Sequence, residues 1–174
     1  MEEEIFKKAS TPTLLDWANF SRSLSGSPLS DIAKLKRIKK EDLIKNFNWL
    51  LHYTKTGTLD SRSYKIKNKK IELIETQVKL SSTEHVEIML FAIIVSLLNY
   101  IRFYYPQTKK HKALLLKKAE SLLPLEYISV AKMAFDLKEK IRQNDKELSR
   151  NELNILKEKT INFVEFLFKK INES

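Results

Sequence analysis

The chain has 174 residues, no cysteine, and a net charge of +10 from 32 Lys and Arg against 22 Asp and Glu. That length suffices for one ordinary domain or two small ones, and the missing thiols exclude disulfide staples, thiol catalysis and cysteine-ligated zinc. Two glycines and four prolines leave few tight turns, and the abundance of Leu, Lys, Glu and Ile predicts a mostly α fold.

The opening stretch MEEEIFKK is acidic and then basic, without the basic start and apolar run of a secretory signal. Residues 1–11 therefore read as a tail, and a cytoplasmic location is expected. Thr11-Pro12 and Ser27-Pro28 each set a capping residue before a proline suited to the first helical position. They predict one helix from about Pro12 to Leu24, ended by Ser25-Gly26-Ser27, and another from Pro28 with Ile32, Ala33 and Leu35 inward.

The charge is unevenly spread along the chain: residues 1–33 carry −2, residues 34–70 carry +9 and the remainder +3. A basic block of this kind suits a polyanion, because each phosphate it neutralises releases condensed counterions. Solvated lysine faces on ordinary helices are the plainer account of any charge run, but the concentration into one segment favours the first explanation.

Within that block, DIAKLKRIKKEDLIKNFNWL places Ile38 between two helical patterns. Glu41 and Asp42 fall in the first turn of the second helix, where they complement its dipole, and Leu43, Phe47, Leu50 and Leu51 face inward. The spacing resembles a helix-turn-helix, with Arg37 where glycine is usual, Lys36 at an inward position, and no Ser or Thr capping the second helix. In SYKIKNKKIELI, apolar and charged residues alternate on either side of Asn68-Lys69. Folding there pairs Ile66 with Ile71, Tyr64 with Leu73 and Lys65 with Glu72, the register of a β-hairpin.

Three helices, Gly57 and a basic hairpin follow the order of a winged helix. Residues 12–76 thus resemble the winged helix-turn-helix DNA-binding superfamily. That resemblance implies a recognition helix in the major groove and a wing on the backbone or minor groove. It assigns Lys39, Lys40, Lys45, Asn46 and Asn48 to the recognition helix, with the asparagines as base readers. Arg62, Lys65, Lys67, Lys69 and Lys70 fall to the wing.

The second half, residues 81–174, predicts a four-helix arrangement for dimerisation or partner binding. Capping boxes run from Ser81 to Glu84 and from Ser149 to Glu152. Ile88 to Ile101 is an uncharged apolar run of fourteen residues; a membrane span needs about 20, so a buried core helix or a subunit interface is expected, ending at Pro106. Further helices are expected over Lys109–Leu122, Leu125–Gln143 and Asn151–Ile171. A secondary basic patch is expected from Arg102, Lys109, Lys110, Lys112, Lys117 and Lys118, with Tyr104 and Tyr105 inside it.

Chemistry has little support in the residues. His52, His85 and His111 are not spaced to share a helical face, so no metal and no cofactor is expected. There is no phosphate-binding glycine loop and no nucleophile elbow. The last four helices resemble helical nucleases of the HEPN type, but eight residues separate Arg102 from His111, more than that family's Arg-to-His motif allows. The expectation is a non-enzymatic DNA-binding protein of the transcriptional-regulator kind, acting as a homodimer. The alternative is a basic helical accessory subunit of a replication or RNA-guided defence complex, where RNA would also serve as ligand.

Overall fold

The computed structural model describes residues 38–67, 70–143 and 148–173, with the backbone alone over 61–73 and at 75. The two helices expected before Ile38, and the turn residues Asn68 and Lys69, lie outside these. The described elements run α1 (Lys40–Thr56), β1 (Thr58–Lys67), β2 (Lys70–Lys79), α2 (Ser82–Tyr104), α3 (Lys112–Ala119), α4 (Leu125–Arg142) and α5 (Arg150–Glu173). The fold is mostly helical, with one two-stranded antiparallel sheet among the described residues.

Helix α1 begins without a side-chain cap on Lys39, and Glu41 and Asp42 occupy its first turn. Ile38, buried just before it, and Leu43, Phe47, Leu50 and Tyr53 form its inner stripe. Ile38, Leu43, Phe47 and Leu50 lie in one apolar cluster with residues of α2, α3, α4 and α5, and α1 packs on α2 and α5. Burying each of the large side chains contributes roughly 1.5–3 kcal/mol, so α1 is held by the helices that follow the hairpin as much as by its own propensity. It ends at Gly57, whose φ of 65° is the left-handed conformation of a helix stop.

A second feature favours glycine there. A Cβ built on Gly57 would sit 3.2 Å from the His85 imidazole, and that ring lies 3.0 Å from the Thr54 carbonyl oxygen through Nε2.

The hairpin has the expected register: Ile66 opposite Ile71, Tyr64 opposite Leu73, Lys65 opposite Glu72. It extends well past the predicted segment, however, pairing ten residues on each strand from Thr58 with Lys79 to Lys67 with Lys70.

Helix α2 opens with the expected capping box. The Ser81 hydroxyl accepts from the Glu84 N–H at 3.3 Å, and the Glu84 carboxylate accepts from the Ser81 N–H at 2.8 Å. The same box opens α5 at Ser149 and Glu152. α2 is long and apolar enough to cross a membrane, and 78% of its most apolar window is buried within the chain. It contacts α1, α3, α4 and α5, so most of its apolar surface is covered by neighbouring helices. α3 is shorter than expected. The backbone before it is taken by turn bonds from Thr108 N–H to the Tyr105 carbonyl and from His111 N–H to the Lys109 carbonyl, and after it Leu122 and Leu123 both bond back to the Ala119 carbonyl.

The hydrogen bonds to Ser81 hold the Glu84 carboxyl below its ordinary value of 4.5. A depressed folded-state pKa stabilises the fold above the unfolded value, and that contribution is lost as pH falls through the folded one. Glu84→Gln keeps a box-forming side chain but removes the titration. Thermal melts from pH 7 to pH 3 are therefore expected to show a smaller acid-induced drop in Tm for Glu84→Gln than for the wild type.

Candidate nucleic-acid interface

The expected binding residues divide by what their side chains already do. On α1, Lys39, Lys45 and Asn48 are exposed. Lys40 Nζ instead donates to the Asn172 carbonyl at the end of α5, at 3.2 Å. Asn46 turns toward α2, where its Oδ1 accepts from Asn99 Nδ2 at 3.2 Å. Of the two asparagines expected to read bases, Asn48 is the exposed one. The outer face of α1 is completed by Trp49 and His52, both exposed, and by Lys55, which pairs with Glu165 of α5 at 2.7 Å.

On the hairpin, cross-strand partners share a face. The register puts Lys65, Lys67, Lys70 and Glu72 on one face near the turn, and Tyr64, Ile66, Ile71 and Leu73 on the other. Arg62 lies opposite Glu75, nearer the body, on the second of these faces; Lys69 is outside the described residues. A strand of ten residues spans about 30 Å, so the lysine-bearing end lies nearly that distance along the ribbon from its root. At the root, the Tyr53 hydroxyl donates to Asp60 Oδ2 at 3.1 Å, and Leu80 N–H donates to the Gly57 carbonyl at 2.9 Å.

The secondary patch is dispersed. Arg102 is fully buried, and its Nε donates to the Thr108 carbonyl at 3.0 Å, so it fixes the loop after α2 rather than facing solvent. Lys118 donates to the Thr108 hydroxyl at 2.7 Å, with its ammonium 4.7 Å from the centre of the Tyr105 ring. Lys112 pairs with Asp136 at 2.7 Å and Glu139 at 3.4 Å. The hydrogen bond from Lys112 is the main reason the Asp136 carboxyl is held low. Lys109, Lys110 and Lys117 remain exposed.

Sequence reasoning did not single out a groove of about 550 Å³ between α1, α2 and α4, lined by Trp49, Glu87, Ile88, Phe91, Lys138 and Arg142 among others. Trp49 is the visible signal: it lies off the inward stripe of α1 and is 44% exposed, unusual for the largest side chain. Burial first, then the nearby charges of Lys110 and Arg142, hold the Lys138 ammonium below the ordinary lysine range, and Glu87 offsets part of this. Comparison with protein-family models, with curated proteins and with solved structures gives no match.

Proposed function

We propose that the protein binds nucleic acid, with duplex DNA as the favoured form, and acts without catalysing a reaction, in the manner of a winged-helix regulator. The observation that carries this reading is the hairpin: a ribbon about 30 Å long with Lys65, Lys67 and Lys70 placed on one face at its far end. The major groove admits a two-stranded ribbon or an α-helix. The exposed Lys39, Lys45 and Asn48 of α1 supply a second contact, following the order of helix and wing in the resemblance. Lysine acts as a point charge on phosphates, so most of the affinity is electrostatic and base reading is limited.

The expected result is steep salt dependence that the hairpin controls. Each phosphate contact adds about 0.9 to the slope of log affinity against log salt on duplex DNA. Lys65→Ala/Lys67→Ala/Lys70→Ala should therefore lower that slope by up to about 3 and weaken binding at low salt. Fluorescence anisotropy with a labelled duplex at several salt concentrations measures both, and an unchanged slope and affinity would remove the hairpin from the interface.

A second reading is favoured by the burial of α2 within its own chain, which takes the most apolar helix away from a subunit interface. On that reading the protein is a monomeric accessory subunit that follows a backbone presented by other proteins. Sedimentation separates the two: a homodimer with paired half-sites supports the regulator, and a monomer with length-dependent binding supports the accessory subunit.

A further inference from the structure

The groove between α1, α2 and α4 joins two chemistries that are rarely left exposed together. Trp49 of α1 and Phe91 of α2 are 44% and 39% exposed, and both line it. Among the described residues, the ring packed on Trp49 is Tyr53, edge-on at 4.4 Å, an arrangement that leaves the faces of the indole open to a further partner. The groove is also cationic: Lys138 and Arg142 of α4 line it, and Lys110 from the loop before α3 adds its charge to theirs. Among the described residues, Glu87 is the one acid on the lining. Helix α4 ends at Arg142, so cations there also suit its dipole, but the dipole gives no reason for two exposed aromatic rings in the same groove.

Among the described residues this is where aromatic surface and clustered positive charge meet in a concavity. Its volume lies within the range of small-ligand sites. Proteins that hold unpaired nucleotides use this pairing, stacking the base on an aromatic ring while a cation takes the phosphate. A duplex offers no free base face, so the groove cannot be filled by paired DNA. An acidic peptide would satisfy the cations but leave the ring faces without a planar partner.

We propose that this groove receives an unstacked nucleobase, which lies against Trp49 and Phe91 while the adjoining phosphate sits between Lys138 and Arg142. The proposal rests on the nucleic-acid reading above and refines it: the protein engages a single strand, or a base displaced from a duplex, in addition to a backbone. The hairpin and the groove are separate contacts, which lets them be tested separately.

The chain has two tryptophans, Trp17 and Trp49, so Trp17→Phe leaves Trp49 as the sole reporter. Its emission would be followed during titration with oligothymidylate, with a duplex carrying one bulged thymidine, with the fully paired duplex, and with inorganic polyphosphate and polyglutamate as anions lacking a base. Saturable quenching by oligothymidylate and by the bulged duplex, absent with the paired duplex and the two plain polyanions, is the expected result. A response to oligothymidylate alone identifies single strands as the source of the base, and a response to the bulged duplex alone identifies a displaced base. Adding Lys138→Ala/Arg142→Ala should weaken oligothymidylate binding about tenfold or more while circular dichroism stays unchanged.

Binding of duplex that depends on the hairpin lysines, with no quenching of Trp49 by any base-bearing ligand, would overturn the groove and leave the first reading standing. Equal quenching by polyglutamate or polyphosphate would overturn it in favour of a general anion site, with an acidic protein segment as occupant. Failure of every nucleic acid to bind would overturn both.

Discussion

Phe47→Ala should destabilise the protein by about 3–5 kcal/mol, lowering Tm by roughly 10 °C or more for a chain of this length. The side chain is 0% exposed, in the middle of the stripe that carries α1 onto α2 and α5. Truncation removes its transfer energy and leaves a cavity that fixed helices on two sides cannot close. The same experiment examines how the chain is divided. Ile38, Leu43, Phe47 and Leu50 precede the hairpin, yet they lie in one apolar cluster with Met89, Ile93, Phe163 and Leu167 beyond it. A single calorimetric transition, shifted as a whole by Phe47→Ala, is therefore expected. Two transitions, of which one moves, would mean that α1 and the later helices unfold independently.

Arg102→Ala should cost about 3 kcal/mol or more, measured by chemical denaturation. The guanidinium is fully buried at the end of α2, and its Nε satisfies the Thr108 carbonyl. Thr108 is itself buried, and its hydroxyl both donates to the Tyr105 carbonyl at 2.7 Å and accepts from Lys118. Removing Arg102 therefore deprives a buried carbonyl of its donor and opens space at the base of a loop that three side chains tie together. Lys109→Ala/Lys110→Ala, on the two exposed residues that follow Thr108, should change stability by less than about 0.5 kcal/mol per site. A large stability loss from the lysine pair and none from Arg102 would reverse the assignment of structural and surface cations in this segment.

That contrast also marks where the sequence was legible. The capping boxes at Ser81 and Ser149, the hairpin register and the inward stripe of α1 were all readable, because each is set by residues a few positions apart obeying a local period. Arg102 was read as part of a cationic run, since position in a run says nothing of which side of a helix meets the core. Its place on the covered side of α2, one residue past the buried Ile101, is what buries it. Asn46 looked free for the same reason, and its partner Asn99 lies on a helix after the hairpin. The groove was invisible because Trp49, Phe91, Lys138 and Arg142 come from three elements that meet only through packing. Thr160, within the apolar stripe of α5, is buried because its hydroxyl bonds back to the Leu156 carbonyl at 2.8 Å, a local satisfaction that lets a polar residue sit in a core face.

The mounting of the hairpin has a mechanical consequence. Both of its roots end on rigid elements, α1 through Gly57 and α2 through Leu80 and the Ser81 cap, and the His85 ring wedges the joint. With the far end about 30 Å out, each degree of rotation at this hinge sweeps the lysines through about 0.5 Å. A force on the tip would therefore be delivered to the C-terminus of α1 and the N-terminus of α2 together, since both strands root on those two helix ends.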